Sequence, residues 1–297
     1  MTYTLSEDLR SLTGIQNPVS IYAFAPVFKG IYQGEKVVLK RTRAPLARAA
    51  ALQDWLRPLK QSVHALHLWE HEQHIWVMYP FIEGKPYTGS LEQCEAAGEL
   101  LGQIHNLPPA DFGSYVMEPP ADLLDTDRDT VNAMLSKQYI SAETAAQLHD
   151  FINTIPEVYT QLLSLELPEV TASWDYKANN LVFTEPVVLI DPDSSGNLPR
   201  LLDLALACLL FHNESPPQND LWSQAQWQAF LRGYGQHITL TPAEKECWPL
   251  AKQWMYYDEA LWLLSNAKAA EWTDPAQGAF LKALVNLDLE SRFLMGR

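Results

Sequence analysis

Residues 173–180 read S-W-D-Y-K-A-N-N, and residues 190–193 read I-D-P-D. Transfer of a phosphoryl group from a nucleotide needs an acid that receives the proton of the substrate hydroxyl. It also needs an amide and a carboxylate that hold magnesium against the phosphates. Asp175, Asn180 and Asp191 supply these three groups in that order along the chain. The two stretches therefore predict a phosphotransferase site.

Further stretches accompany this pair in a fixed order. They are V-V-L-K at 37–40, F-I-E-G at 81–84, L-L-G-Q-I-H at 100–105 and D-L-A at 203–205. A D-x-x-x-x-N pattern alone is common by chance, and alone it would indicate a capped turn before a strand. Taken together, the stretches resemble the aminoglycoside phosphotransferase and choline kinase family of the protein-kinase-like superfamily.

The resemblance implies a bilobal α+β fold, with a small β-rich N-terminal lobe and a large, mainly helical C-terminal lobe. The residue patterns agree with this division. Strands are predicted at 20–27, 30–40, 63–69 and 74–78, and helices at 45–56 and 241–270. We expect a nucleotide-binding lobe at 1–79, a hinge at 80–86, and a catalytic and substrate-binding lobe at 87–297.

The resemblance assigns the nucleotide, expected to be ATP, to the N-terminal lobe and the hinge. Lys40 ends an apolar strand, where its long side chain can reach the α- and β-phosphates. Asp54 is the only acid of the following helix and the only candidate for the Glu that orients this lysine in related kinases. The carbonyl of Pro80 and the N–H of Ile82 are expected to hold adenine.

The remaining groups of the predicted site act on the transferred phosphoryl group and on Mg²⁺. By resemblance, Asp175 is the catalytic base, and Lys177 offsets charge on the phosphoryl group. Asn180 and Asp191 are the expected magnesium ligands, and Asp193 is a second carboxylate for the metal or its surroundings.

Three departures from the family pattern motivate an alternative function. Ser173 stands where the family usually has His, Asp54 replaces a Glu, and the phosphate-covering loop keeps only Gly30 and Gly34. These changes favour a nucleotide-binding pseudokinase, whereas the presence of the reacting groups favours an active enzyme. A protein kinase is a further alternative.

Composition limits the location and the partners of the chain. No apolar run is long enough to cross a membrane, and no signal-peptide pattern begins the sequence. The three cysteines lack paired spacing, which predicts a cytoplasmic protein without membrane association. Residues 1–86 carry ten basic and seven acidic residues, and the remaining residues carry 11 basic and 29 acidic ones. The acidic second part disfavours nucleic acid and favours a cationic partner.

A candidate surface for a cationic substrate lies at residues 253–262, which read Q-W-M-Y-Y-D-E-A-L-W. At helical spacing one side of this segment combines aromatic rings with carboxylates, a combination that recognises amines. The residues expected to contact the substrate are Trp254, Tyr257, Asp258, Glu259 and Trp262. The alternative is an aromatic core stripe beside exposed acids.

These observations predict an ATP- and magnesium-dependent kinase that phosphorylates a hydroxyl group of a small, cationic molecule. An aminoglycoside-type antibiotic is the first choice of acceptor. Choline, ethanolamine or another small metabolite is the second.

Overall fold

Five antiparallel strands form one sheet in the N-terminal part of the chain. The computed structural model describes residues 3–22, 25–120, 123–215 and 220–295. Helix α1 (Glu7–Thr13) precedes the sheet. The strands are β1 (Gln16–Ser20), β2 (Val27–Tyr32), β3 (Glu35–Thr42), β4 (His67–His71) and β5 (His74–Pro80), in the spatial order β1-β2-β3-β5-β4. Strand β3, which carries Lys40, is therefore the central strand.

A two-residue turn fixes the register of β2 and β3. Gln33 and Gly34 both have positive φ, 52° and 88°, which is the backbone that matches the twist of a tight hairpin. In this register Lys40 pairs with Val27 on one side and with Val77 of β5 on the other. The backbone of Lys40 is thus held from both sides.

The predicted strand at 20–27 is wrong. Strand β1 ends at Ser20 and β2 begins at Val27. The Ile21 N–H still donates to the Val27 carbonyl at 3.0 Å, and Ile21 and Tyr22 line a cleft. Pro26, just before β2, has no N–H for a strand ladder. Residues 23 and 24, which the prediction included, lie outside the described part of the chain.

Helix α2 (Leu46–Leu56) connects β3 to β4 in sequence but packs largely on the helical part. Its side chains Leu52, Trp55 and Leu56 belong to the large hydrophobic core of the C-terminal part. Ala49, on the same helix, packs on the sheet with Ile75, Val77 and other buried residues. The helix therefore bridges the two parts.

Nine described helices build the C-terminal part. They are α3 (Leu91–His105), α4 (Leu124–Ser136), α5 (Ala142–Leu163), α6 (Arg200–Leu210), α7 (Gln224–Tyr234), α8 (Pro242–Met255), α9 (Leu261–Asn266), α10 (Ala269–Thr273) and α11 (Gln277–Val285). Helix α6 is buried along almost its whole length, as its run of apolar residues requires. The small β-rich part followed by this large helical part is the predicted α+β architecture.

The single helix predicted at 241–270 is interrupted. Tyr256–Ala260 forms a π-helical turn between α8 and α9, and a further break precedes α10. A π turn inserts one extra residue into an α-helix and rotates everything that follows it. Asp258 and Glu259 lie within this turn.

Two short antiparallel sheets of two strands each hold the sequence motifs in the helical part. Strand β6 (Glu169–Ala172) pairs with β9 (Gly196–Pro199), and β7 (Leu181–Val182) pairs with β8 (Val188–Leu189) in a hairpin. The stretch 173–180 connects β6 to β7, and the stretch 190–193 follows β8. The two sheets therefore bring the two stretches together.

Two further observations concern membrane-spanning helices and the state of the cysteines. None of the described helices is both long enough and apolar enough to span a bilayer. Cys94, Cys208 and Cys247 are free thiols, and each is buried.

Candidate active site

The side chains of Asp175 and Asn180 are in direct contact. The Asn180 side-chain amide donates to the Asp175 carbonyl at 2.7 Å and to Asp175 Oδ2 at 3.0 Å. Both hydrogen bonds use the nitrogen of the amide, so Oδ1 of Asn180 is left as an acceptor or a metal ligand. The proposed proton acceptor and the proposed metal ligand thus lie side by side.

A tight three-residue turn sets the position of Asp175. The N–H of Asp175 donates to the Ser173 carbonyl at 2.7 Å, and Trp174 between them has φ of 59°. Left-handed backbone at a non-glycine residue costs about 1–3 kcal/mol and is common at functional sites. The hydroxyl of the next residue, Tyr176, donates to the carbonyl of Ala97 on α3 at 2.6 Å, which ties the loop to the core.

Ser173 and Asp203 are both buried beneath the site. The Ser173 hydroxyl and Asp203 Oδ1 have no hydrogen-bond partner among the described residues. Asp203 Oδ2 pairs instead with His105 Nε2 at 2.9 Å, and His105 Nδ1 contacts the Tyr234 hydroxyl at 3.0 Å. Asp203 therefore joins α6 to α3 and α7.

Lys177 is a largely buried cation shared by two carboxylates. Its Nζ lies 3.2 Å from Asp175 Oδ2 and 2.9 Å from Glu214 Oε2. Burial opposes the charge, but Asp175 and Glu214 outweigh it, so the pKa of Lys177 is raised above its usual value. The sequence analysis did not identify Glu214, which lies outside the motif and carries no local signal.

Lys40 reaches from β3 to the loop after β8. Its Nζ forms ion pairs with Asp191 and, at 3.0 Å, with Asp193 Oδ2. Burial opposes the charge of Lys40, but the two carboxylates outweigh it and raise the pKa of the ammonium group. The strand lysine and the acids of the second stretch therefore form one cluster.

The expectation that Asp54 orients Lys40 is wrong. Asp54 is exposed and pairs with Arg57 on its own helix. The physical reason is the orientation of α2, which turns Leu52, Trp55 and Leu56 toward the core and Asp54 toward solvent. Lys40 has its acidic partners in the loop at 191–193 instead.

The donor atoms at the junction of the two stretches fit a magnesium ion. Asn180 Oδ1 and the carboxylates of Asp191 and Asp193 are hard oxygen donors, the type that Mg²⁺ prefers. Among the described residues, no three His, Cys, Asp or Glu side chains are placed to hold a metal ion. Proteins usually bind magnesium through one or two carboxylates together with substrate phosphates.

A cleft of about 800 Å³ opens between the sheet and these loops. Val27 and Val38 line it from the sheet, and Leu181 and Ile190 line it from the hairpin β7–β8. Two apolar walls suit a flat ring system, and the volume is that of a small-molecule site. The cleft is also lined by Lys40, Pro80, Ile82, Asn180, Asp191 and Glu214.

The glycine of the F-I-E-G stretch has a steric reason. A Cβ atom at Gly84 would come within 2.2 Å of a methyl group of Val182. The next residue, Lys85, donates its N–H to the Phe183 carbonyl at 3.0 Å. The close approach lets the segment after β5 cross the hairpin β7–β8 beside the cleft.

Acidic and aromatic side chains gather on the other side of Asp175. Tyr115 donates its hydroxyl hydrogen to Asp258, and the Tyr115 ring lies 4.9 Å from that of Trp174. Burial raises the pKa of Asp258. Burial, then Asp258 and to a smaller extent Asp175, raise the pKa of Glu259, while Trp174 offers it a hydrogen bond. Two partly buried carboxylates thus lie near the proposed base.

The aromatic residues predicted for this surface do not form it. Trp254 and Tyr257 are buried, with Trp254 donating to the Tyr115 hydroxyl at 2.6 Å and Tyr257 to Asp127 at 2.6 Å. Trp262 is 61% exposed beyond the π-helical turn. The aromatic rings beside the acids are Trp174 and Tyr115, which the sequence analysis missed although Trp174 lies within the quoted motif.

Comparison with known proteins identifies solved structures of the same fold. An aminoglycoside phosphotransferase from Alicyclobacillus acidocaldarius subsp. acidocaldarius DSM 446 is 15% identical with a TM-score of 0.68, covering 96% of this chain and 91% of that chain. Amicoumacin kinase hAmiN, in complex with AMP-PNP, Ca²⁺ and Ami, is 15% identical with a TM-score of 0.64, covering 99% and 96%. Choline kinase from Cryptosporidium parvum Iowa II is 16% identical with a TM-score of 0.56, covering 93% and 86%.

These likenesses confirm the predicted protein-kinase-like fold. No curated protein matches the sequence. A family model described as the phosphotransferase enzyme family matches residues 24–247, which is more than half of the chain. The predicted family and the predicted small-molecule kinase class, which transfers phosphoryl groups to hydroxyl groups, are confirmed at this level. The chain belongs to the phosphotransferase enzyme family.

Proposed function

We propose that this chain transfers the γ-phosphoryl group of ATP, with Mg²⁺, to a hydroxyl group of a small cationic molecule. The observation that carries the proposal is the 3.0 Å contact between Asn180 and Asp175. It joins a metal ligand to a proton acceptor at the cleft where Asp191 also pairs with Lys40. Phosphoryl transfer needs these groups together and little else from the protein.

The nucleotide occupies the cleft between the sheet and the loops. Pro80 and Ile82 face adenine, and Lys40 neutralises the phosphates. Asn180, Asp191 and Asp193 would hold Mg²⁺, which would neutralise charge on the phosphate oxygens. The structure of amicoumacin kinase hAmiN in complex with AMP-PNP and Ca²⁺ supports the proposal of a nucleotide and a divalent cation. In this proposal residues 1–79 form the nucleotide lobe, residues 80–86 the hinge, and residues 87–297 the catalytic lobe.

Asp175 takes the proton of the acceptor hydroxyl as the oxygen attacks the γ-phosphorus. The new O–P bond forms, the bond to the bridging β,γ-oxygen breaks, and ADP leaves with the negative charge. Lys177 stays charged because its pKa is raised, so it can offset charge on the transferred group. Its position 3.2 Å from Asp175 supports this role.

The acceptor is an amine that carries a hydroxyl group. Asp258 and Glu259 are partly buried, and a bound cation relieves both the loss of hydration and the repulsion between them. An aminoglycoside-type antibiotic fits such an acidic surface and is the first choice. The faces of Trp174 and Tyr115 favour the second choice, an amino alcohol such as choline or ethanolamine, because aromatic rings attract ammonium groups.

The test is a panel of aminoglycosides, amino alcohols, neutral sugars and a generic protein substrate, with ATP and Mg²⁺, read out as ADP release and product mass. We expect turnover with cationic acceptors. Turnover with neutral sugars alone would overturn the cationic acceptor. ATP binding without turnover, across the panel and several metals, would instead indicate a pseudokinase. The cytoplasmic location remains a prediction.

A further inference from the structure

Arg48 of helix α2 holds two loops of the helical part together. One guanidinium nitrogen, Nη1, donates to the Phe112 carbonyl at 2.7 Å, and Nη2 donates to the Ser195 carbonyl. The guanidinium carbon also lies 5.1 Å from the centre of the Phe112 ring. Arg48 therefore donates from two guanidinium nitrogens and places one face of the guanidinium group over the Phe112 ring. Lysine cannot reproduce this geometry.

One of these loops is the turn that carries the acids of the metal site. Ser195, which Arg48 grips, follows Asp193 by two residues, and its hydroxyl donates to the Pro192 carbonyl at 2.8 Å. This hydrogen bond joins two residues within the turn, whereas Arg48 binds the turn from helix α2. Asp193 then meets Lys40 at 3.0 Å on the side of the turn that faces the cleft.

Helix α2, which carries Arg48, is attached to the helical part. At the other end of α2, the Trp55 indole donates to the Pro108 carbonyl at 3.1 Å. Beyond the helix, the Val63 N–H donates to the Leu189 carbonyl of β8 at 2.9 Å. The C-terminal end of α2 is thus fixed to the lobe that carries the acids, and this anchors the helix from which Arg48 extends.

We propose that Arg48 is a positioning residue for the turn at 191–195 and hence for metal binding. Asp54 makes no pair with Lys40 and so does not orient the site. In this chain Arg48 orients the acids instead, by binding the backbone of the turn that carries them. The inference rests on the proposed function, because it requires that Asp191 and Asp193 serve a metal–nucleotide complex. Residues that orient metal ligands typically change metal affinity about 10- to 100-fold when substituted.

The experiment measures Mg²⁺-dependent binding of AMP-PNP by calorimetry and by the rise in Tm, in Mg²⁺ titrations and in EDTA. Arg48→Lys keeps the charge and loses the two-armed contact. We expect the Mg²⁺ concentration for half-maximal effect to rise about tenfold or more, as for other residues that orient metal ligands. AMP-PNP affinity in EDTA should stay within a few-fold. Arg57→Ala, on the exposed end of α2, is the matched control and should behave as wild type.

A second variant, Ser195→Ala, loosens the same turn without touching α2, and it decides the question if substitutions of Arg48 prevent folding. It should raise the Mg²⁺ requirement in the same direction. Wild-type protein that binds AMP-PNP without any metal dependence would contradict the proposed function. If the wild type depends on the metal and Arg48→Lys has the same Mg²⁺ requirement, the role of Arg48 is overturned and the proposed function stands. If the Arg48 variants do not fold, an unchanged Mg²⁺ requirement in Ser195→Ala leads to the same conclusion.

Discussion

Lys177 Nζ lies 2.9 Å from Glu214 Oε2, closer than its 3.2 Å approach to Asp175 Oδ2. A carboxylate outside the catalytic motif thus holds the ammonium group as closely as the proposed base does. Glu214 lines the nucleotide cleft, so the shared cation connects the proposed proton acceptor with the nucleotide side of the site. The pairing has a consequence for the pH dependence of catalysis.

Glu214→Gln should move the alkaline limb of the kcat/KM profile to lower pH. Burial lowers the pKa of Lys177, whereas Asp175 and Glu214 raise it above the usual 10.5. Removal of one carboxylate lowers that pKa, so the cation is lost at a lower pH. The measurement is the pH–rate profile on the alkaline side. Glu95→Gln, at an exposed pair with Arg232, is the control, and an unchanged limb in Glu214→Gln would contradict the role of Lys177.

Asp175→Asn should remove turnover and leave ATP affinity within a few-fold. The loss of a general base typically costs about 10²- to 10⁴-fold in rate. The asparagine keeps an oxygen that can accept from Asn180, so the loop should stay in place. The measurements are kcat by ADP release and Kd by calorimetry, with Asp54→Asn as the exposed control. Near-wild-type kcat would show that Asp175 is not the base.

Asp191→Ala should abolish the metal dependence of nucleotide binding. The substitution removes a proposed metal ligand and one of the two ion-pair partners of Lys40, and it leaves Asp193 in place. ATP affinity should become the same in Mg²⁺ and in EDTA, as measured by calorimetry. If a difference between the two conditions survives at its wild-type size, Asp191 serves only to hold Lys40.

The double variant Asp258→Asn/Glu259→Gln should raise the acceptor KM and leave the ATP KM nearly unchanged. Neither carboxylate lines the cleft that we propose for the nucleotide. In wild type, acceptor kcat/KM should also fall as the salt concentration rises, because salt screens the attraction between the carboxylates and a cationic acceptor. At about 0.15 M salt, the interaction of an exposed charge reaches only roughly 8 Å. Glu143→Gln/Asp150→Asn, on the exposed side of α5, is the matched control. Equal KM values in all three proteins would mean that Asp258 and Glu259 do not bind the acceptor.

The same double variant should be more stable than wild type at neutral pH when no acceptor is bound. Burial raises the folded-state pKa of Asp258 above 3.8 and, together with Asp258, that of Glu259 above 4.5. The folded state therefore binds protons more readily than the unfolded state, so the carboxylates cost stability above the raised pKa values. This cost is relieved as pH falls through them. The measurement is Tm against pH, and we expect the advantage of the variant to shrink at acidic pH. A variant that is less stable than wild type at neutral pH would contradict this account.

The contact between Asp175 and Asn180 could be predicted from sequence because the two residues are close along the chain. Asp175 and Asn180 are five residues apart, and the loop between two short strands brings them into contact whatever surrounds it. Short-range patterns of this kind depend on few other residues.

The partners of Lys40 and Lys177 could not be predicted in the same way. Lys40 and Asp191 are 151 residues apart, and Lys177 and Glu214 are 37 apart. Such pairs depend on how a sheet docks on a helical lobe and on the direction that α2 takes, which burial of Leu52, Trp55 and Leu56 decides. Glu214 and Arg48 carry no pattern of their own.

The error at the acceptor surface has a helical cause. In an uninterrupted α-helix, Trp254, Asp258 and Trp262 are four residues apart and share one side. Each residue adds about 100° of rotation, so the extra residue of the π-helical turn rotates Trp262, which follows the turn, away from the side of the helix that carries the buried Trp254. Nothing in the letters Q-W-M-Y-Y-D-E-A-L-W marks that insertion.

The anchoring of α2 matters for the design of inhibitors. A compound that gains space by pushing this helix outward would have to pull Trp55 from the core and break its bond to Pro108, in addition to both Arg48 contacts. The loss of a large aromatic residue from a core typically costs about 3–5 kcal/mol. Selective compounds should therefore leave the helix in its place and gain their contacts from residues that line the cleft, such as Lys40 and Glu214.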